Sequence, residues 1–194
     1  CEKIIDLDQS FYFAYNRMGL CCIKLEREEK AIVFFETAIR INPYYAEALT
    51  NYGFMLQKNR NYSLATLQFE KALHLDPTSD EALLNLSKSY FDEGRLPKSI
   101  EIAQKSLSSK PKNIPMLKNL IASLLLLNRF EEASVACKRI LSINKDDADA
   151  INLIGTIYEK QGLYEEAKKH FLKALELDKD LVQAKINIAT IHQL

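Results

Sequence analysis

The chain has 194 residues, of which 47% are hydrophobic and 27% are charged, a balance typical of a folded globular protein rather than a disordered one. Lysine and arginine number 26, as do aspartate and glutamate, so the zero net charge gives no electrostatic reason to expect a nucleic-acid or membrane partner. The longest apolar run, "LIASLLLL" at 120–127, is too short to span a bilayer.

A phrase of small and large apolar residues recurs along the chain with a period of 34 residues. Pro43, Pro77 and Pro111 are spaced by this step twice in succession. The same step connects Ala31, Ala65, Ser99, Ala133 and Ala167, and it connects Phe35, Phe69, Ala103, Cys137 and Phe171. A constant period of this length is typical of a helical repeat array, in which each unit buries its apolar face by stacking on the next.

In chain order, residues 1–11 are predicted to be the end of one repeat. Five full repeats follow at 12–45, 46–79, 80–113, 114–147 and 148–181, and 182–194 is predicted to be the first helix of a further repeat. The whole range 1–194 is thus predicted to be a single array. Neither end resembles the polar cap that such an array needs, so we expect this chain to be a fragment or to have further repeats on both sides.

Each repeat is predicted to contain two helices. In the third repeat, Leu83, Leu86 and Tyr90 recur with helical spacing over about 80–93. Gly94 ends this pattern, a second helix follows to about residue 108, and Pro111 prevents its continuation.

Glycines occur within the predicted first helices, where each costs roughly 1 kcal/mol relative to alanine. Gly19, Gly53 and Gly155 share one position of the repeat. We interpret them as points where two helix axes approach closely, with a phenylalanine opposite each one. The fourth repeat has Ile121 and Cys137 at the corresponding positions, so we expect its helix packing to be shifted.

The repeat resembles the tetratricopeptide repeat (TPR) family over the whole chain. The second repeat supplies the motif residues Leu49, Tyr52, Gly53, Leu56, Ala65, Phe69, Ala72 and Pro77. The resemblance implies an all-α fold, a right-handed α-solenoid of helix-turn-helix repeats. It also implies a scaffold for protein–protein interaction, with a concave groove lined by the first helices.

Asparagine recurs at one groove position implied by the resemblance. Asn51, Asn85, Asn119 and Asn187 form this series, and Arg17 and Leu153 interrupt it. A carboxamide both donates and accepts hydrogen bonds, so a column of them could bind a peptide backbone without reading its side chains. The series is similar to the TPR region of O-GlcNAc transferases. The alternative is that these asparagines bond locally within the protein.

Apolar and cationic residues complete the predicted groove. The candidates are Phe13, Arg17, Leu20, Phe54, Lys88 and Phe91, and the alternative for the apolar ones is packing between helices. The two-carboxylate clamp of chaperone-binding TPR domains requires Lys-x3-Asn on a first helix. Lys88 is followed four residues later by Asp92, and no repeat supplies that pair at the required positions, so chaperone-tail binding is not expected.

The sequence predicts no catalytic site, no metal site and no cofactor. The four cysteines, Cys1, Cys21, Cys22 and Cys137, lack zinc-ligand and redox-motif spacing and are interpreted as reduced thiols packed in the core of a cytoplasmic protein. The leading hypothesis is a non-catalytic scaffold that binds an extended peptide or a partner helix. Two alternatives stay open: the substrate-recognition arm of a larger enzyme such as an O-GlcNAc-transferase-like glycosyltransferase, and homo-association through uncapped end repeats.

Overall fold

The computed structural model describes residues 11–191. Within this range the chain forms eleven α-helices and no β-strand, so the predicted all-α fold is confirmed. None of these helices is long and apolar enough to cross a membrane. The predictions for Cys1 and the rest of 1–10, and for 192–194, concern residues outside the described range.

First and second helices alternate along the chain. The first helices are Tyr12–Lys24 (α1), Ala46–Lys58 (α3), Asp80–Asp92 (α5), Ile114–Leu126 (α7), Ala148–Lys160 (α9) and Val182–Ile191 (α11). The second helices are Glu28–Ile41 (α2), Tyr62–Leu75 (α4), Leu96–Ser109 (α6), Phe130–Ile143 (α8) and Tyr164–Leu177 (α10). The two helices predicted for the third repeat, α5 and α6, are therefore confirmed, and the array is an α-solenoid of helix-turn-helix repeats.

The chain divides into two compact units whose boundary lies inside α6, between Ile102 and Ala103. In unit 1, α1 packs against α2, α2 against α3, and α3 against α4. In unit 2, α8 packs against α9, α9 against α10, and α10 against α11. Each unit is thus built by the same step, in which a helix packs on its predecessor and its successor.

The turn between the two helices of every described repeat places one residue in the left-handed region. These residues lie 34 apart and are Glu26, Arg60, Gly94, Asn128 and Gly162, with φ between 56° and 78°. In the second repeat the Arg60 N–H donates to the Gln57 carbonyl at 2.9 Å, and the Asn61 N–H donates to the Leu56 carbonyl at 2.9 Å. This pair of bonds is a Schellman motif, which satisfies the last carbonyls of the first helix.

The predicted close contacts at three glycines are confirmed. A Cβ atom placed on Gly53 would lie 2.6 Å from Cε1 of Phe69, and one on Gly155 would lie 2.5 Å from Cε1 of Phe171. Gly19 meets Phe35 in the same way. All three phenylalanines are fully buried. The glycine therefore provides the space that the ring of the second helix occupies.

The third and fourth repeats fill the same space differently. In the fourth repeat both Ile121 and Cys137 are fully buried, so a larger residue on the first helix accompanies a smaller one on the second. In the third repeat the Ser87 hydroxyl lies 3.1 Å from the Ser99 carbonyl oxygen and 3.2 Å from the Ser99 hydroxyl. In the fourth repeat the exchanged volumes therefore compensate one another, whereas in the third repeat the two helices meet through the contact between Ser87 and Ser99.

Candidate partner-binding site

The first helices of unit 1 lie side by side, since α1 contacts α3 and α3 contacts α5. We call these three helices the first-helix row of unit 1. On α1, Phe13, Arg17 and Leu20 follow helical spacing, so they share one face of the helix. Phe13 is 44% exposed and Arg17 is exposed, while Leu20 is half-buried.

The other two helices of the row continue this pattern. On α3, Phe54 is 39% exposed, and on α5 Lys88 is exposed while Phe91 is half-buried. Burial raises the pKa of the Asp92 carboxyl from its ordinary value, and the positive charge of Lys88 acts in the opposite direction. The row therefore presents partly exposed aromatic rings beside two cationic side chains.

Two of the four predicted groove asparagines are buried and bond to another asparagine. The Asn51 carboxamide donates to Oδ1 of Asn16 at 2.9 Å, and the Asn187 carboxamide donates to Oδ1 of Asn152 at 3.2 Å. Each bond joins the first helices of two adjacent repeats. For Asn51 and Asn187 the structure thus shows the alternative of bonding within the protein, which uses part of their hydrogen-bonding capacity.

Sequence reasoning missed Asn16 and Asn152. They stand one residue before Arg17 and Leu153, the two positions at which the asparagine series was interrupted. The series is therefore displaced by one residue in the first and fifth repeats rather than broken. The asparagine directly before each interruption was the sequence signal that could have revealed these two residues.

The other two groove asparagines are more accessible. Asn85 is half-buried on α5, and its side chain makes no hydrogen bond within residues 11–191. Asn119 on α7 is also half-buried. In unit 2 the nearby Lys118 ammonium lies 2.5 Å from Oδ2 of Asp149 and 3.6 Å from Oδ1 of Asp147, so its charge is paired with the next repeat.

A hydrogen-bond network supports the row near the start of α3. The Asn16 carboxamide donates to Oε1 of Glu47 at 3.0 Å and to the Tyr45 hydroxyl oxygen at 3.2 Å. The Tyr45 hydroxyl donates to Oε2 of Glu47 at 2.9 Å. Burial, followed by the hydrogen bond and the charge of Glu47, raises the pKa of Tyr45 to about 12. These bonds hold the Glu47 carboxylate in place at the edge of the row.

The described residues contain no group of three or more histidine, cysteine, aspartate or glutamate side chains placed to hold a metal ion. Cys22 and Cys137 are buried, whereas Cys21 is exposed, so the prediction that Cys21 packs in the core is wrong. Burial raises the pKa of the Cys137 thiol to about 12, so this thiol is neutral at physiological pH.

Three family models, each described as tetratricopeptide repeat, match the chain. The first matches residues 12–45 and 148–181, the second matches 56–124, and the third matches 34–66. The chain belongs to the tetratricopeptide repeat family.

Curated relatives and solved structures agree with this assignment. The chain is 27% identical to protein O-mannosyl-transferase TMTC3 of Homo sapiens over 84% of this chain and 20% of that protein. It is 28% identical to Superkiller protein 3 of Schizosaccharomyces pombe over 93% of this chain and 14% of that protein. The chain thus spans a fifth or less of the length of these relatives.

Among solved structures, YrrB, described as a TPR protein with an unusual peptide-binding site, is similar with a TM-score of 0.80. The alignment covers 100% of this chain and 97% of that chain. At 18% identity this similarity shows the shared fold alone.

Proposed function

We propose that this protein is a non-catalytic interaction scaffold whose first-helix row binds an extended peptide or a partner helix. TPR proteins generally mediate protein–protein interaction, and YrrB is described as having a peptide-binding site. The observation that carries the proposal is the partial exposure of Phe13 and Phe54 on the same row of helices as Arg17, Lys88 and Asn85, whose carboxamide makes no hydrogen bond within residues 11–191.

Energetic magnitudes indicate that neither the aromatic rings nor the asparagine carboxamides alone can provide micromolar affinity. Each hydrogen bond to a peptide contributes roughly 0.5–1.5 kcal/mol, whereas micromolar binding requires about 8 kcal/mol. Phe13 is 44% exposed and Phe54 is 39% exposed, so completing their burial adds about 0.6–1.3 kcal/mol per ring, the exposed share of the roughly 1.5–3 kcal/mol for a whole side chain. The rings and the Asn85 carboxamide therefore contribute similar amounts, and further contacts along the row must provide the rest of the affinity.

A peptide-array screen with the purified chain and two sets of variants tests this proposal. Phe54→Ala should weaken most bound peptides, while Asn85→Ala should weaken unrelated peptides about equally. Val33→Ala is the matched control, because Val33 is 58% exposed but lies on the second helix α2. The proposal fails if Val33→Ala weakens binding as much as Phe54→Ala, or if loss after Asn85→Ala is confined to one peptide.

The relative TMTC3 favours a second candidate function, in which this array is the recognition arm of a larger glycosyltransferase. TMTC3 is named as a protein O-mannosyl-transferase, and this chain matches 20% of its length. In that case the full-length protein should transfer a sugar to the peptides selected by the array, and Phe54→Ala should reduce that transfer. A full-length chain that binds these peptides without transferring a sugar to them would exclude the recognition-arm candidate and favour the scaffold.

Self-association is a third candidate, favoured by exposed apolar residues on α11. Val182 is 65% exposed and Ile186 is 52% exposed. Light scattering should then show a mass that rises with concentration, and Ile186→Lys should abolish that rise. A concentration-independent monomer mass would refute this candidate.

We also propose a cytoplasmic location, because the cysteines are expected to be reduced. The zero net charge likewise leads us to propose that the protein binds neither nucleic acid nor a membrane.

A further inference from the structure

In unit 1, a tyrosine of each later repeat fills the groove between that repeat and the preceding one. The Tyr52 hydroxyl on α3 donates to Oε1 of Glu36 on α2 at 2.7 Å. The Tyr90 hydroxyl on α5 donates to Oε1 of Glu70 on α4 at 2.5 Å. Glu36 and Glu70 share one position of the 34-residue repeat. Each groove thus contains an aromatic ring whose hydroxyl bonds to the preceding second helix.

In unit 2, a tyrosine also lies at the groove between α8 and α10. Tyr158 occupies the repeat position of Tyr90, and its ring centroid lies 5.1 Å from that of His170 on α10. With Ser134 of α8 it lines a cavity of about 380 Å³, so this ring fills its groove only in part. A ring is therefore present in three of these inter-repeat grooves.

The groove between α6 and α8 lacks such a ring. Leu120 occupies the repeat position of Tyr52, Leu124 occupies that of Tyr90, and Gln104 occupies that of Glu36 and Glu70. A cavity of about 460 Å³ is present here, which is within the range of ligand pockets. We call it the α6/α8 pocket, and its lining includes Gln104, Leu107, Leu120, Leu124, Val135 and Arg139.

The lining is apolar at its base and polar at its rim. Leu107, Leu120 and Leu124 are buried, whereas Val135 is 59% exposed at the mouth. The Arg139 guanidinium donates to the Pro111 carbonyl oxygen at 3.0 Å, which fixes one side of the rim. An aromatic ring can therefore pack on the leucines while a polar group on that ring remains near the rim.

We propose that the α6/α8 pocket binds the side chain of a tyrosine from a partner polypeptide. The grooves of unit 1 show the chemistry that this repeat geometry accommodates, namely a phenol ring over the first helix and a hydroxyl bonded to the second helix. Leu120 and Leu124 leave the space of the ring vacant. Gln104 provides a carboxamide at the position where Glu36 and Glu70 accept a hydrogen bond from a tyrosine hydroxyl. The carboxamide oxygen can accept the same hydrogen bond. The partner's tyrosine replaces the ring that this groove lacks.

The test is a titration of the protein, labelled with ¹³C at leucine and valine methyl groups, with N-acetyl-L-tyrosinamide. N-acetyl-L-leucinamide serves as the matched non-aromatic probe. The tyrosine derivative should shift the methyl signals of Leu120, Leu124 and Val135 in a saturable manner, and the leucine derivative should shift them much less. Absence of saturable shifts at these methyl groups, or equal shifts with both probes, would overturn the proposal.

Two variants locate the binding. Leu124→Tyr combined with Gln104→Glu restores the residue pair of the unit 1 grooves and should weaken probe binding by about tenfold or more, because the new ring occupies the pocket. Val135→Lys places a charge at the mouth and should also weaken binding. Val33→Lys is its control, since Val33 occupies the same repeat position with 58% exposure. Unchanged affinity in Val135→Lys, or equal loss in Val33→Lys, contradicts the assignment even if the filled variant does not fold.

Discussion

Gly53→Ala should destabilise the protein, although the same substitution in an unobstructed helix stabilises it. In an open helix the change gains about 1 kcal/mol. At Gly53 the added Cβ atom would lie 2.6 Å from Cε1, 2.9 Å from Cδ1 and 3.0 Å from Cζ of Phe69. The Phe69 ring is fully buried, so it cannot move away into solvent. Overpacking of this kind costs about 1–3 kcal/mol, which leaves a net loss of about 1 kcal/mol.

The assay is thermal and urea unfolding monitored by circular dichroism. A net loss of about 1 kcal/mol should lower the Tm of a chain of this length by about 2–4 °C. Gly53→Leu should lower the Tm further, because the additional carbon atoms would overlap the same Phe69 ring. In a Phe69→Leu background the obstruction is removed, so Gly53→Ala should become neutral or stabilising.

Two results would refute this reasoning. One is a higher Tm for Gly53→Ala in the otherwise unchanged protein, which would show that the helix axes separate at no cost. The other is an equal cost of Gly53→Ala with Phe69 present and in the Phe69→Leu background, since the two substitutions must couple if the ring is the cause.

Three further predictions concern the turns, the buried asparagines and alkaline pH. Arg60→Gly should raise stability by about 1 kcal/mol in urea unfolding, because Arg60 has a φ of 61°; a loss would contradict this. Asn16→Leu should cost about 1–3 kcal/mol by leaving Asn51 without its acceptor, and adding Asn51→Leu should recover part of the loss; additive losses would argue against the pair. The pKa of Tyr52 is raised to about 12, chiefly by burial and then by Glu36, so its contribution to stability is complete below about pH 10 and lost between about pH 10 and 12. Tyr52→Phe should therefore flatten the fall of the urea midpoint in that range, and an unchanged slope would contradict the assignment.

The sequence was sufficient to predict the features that repeat with a constant period. Helix pairs and the glycine–phenylalanine contacts follow from residue types that recur at multiples of 34 residues, and Gly94 marks the turn of the third repeat. The left-handed residues Glu26, Arg60 and Asn128 do not, because nothing in their side chains favours that conformation as strongly as glycine does. Their conformation becomes evident only when the turn is seen to be the same in every repeat.

The candidate site was harder to predict because it depends on which neighbour a side chain meets. Asn51 was expected in an open groove, but Asn16 of the preceding first helix accepts its hydrogen bond and reduces what it can offer to a peptide. Neighbouring residues on a helix differ by about 100° in direction, so an asparagine one position earlier faces a different partner. Spacing along one repeat cannot reveal a bond that forms between two repeats.

Residues that obey the period are explained by the packing of one repeat on the next, whereas departures from the period need another explanation. The glycine–phenylalanine exchange to Ile121 and Cys137 compensates in volume, and both residues are fully buried, so folding alone accounts for it. The replacement of tyrosine by Leu120 and Leu124 does not compensate, because neither leucine supplies the ring and hydroxyl, and the cavity of about 460 Å³ here is larger than the cavity of about 380 Å³ beside Tyr158. A repeat protein that could fill this groove with its own side chain, as it does between α2 and α4, gains stability by doing so. The uncompensated departure is therefore a stronger indication of a binding site than any residue that follows the repeat.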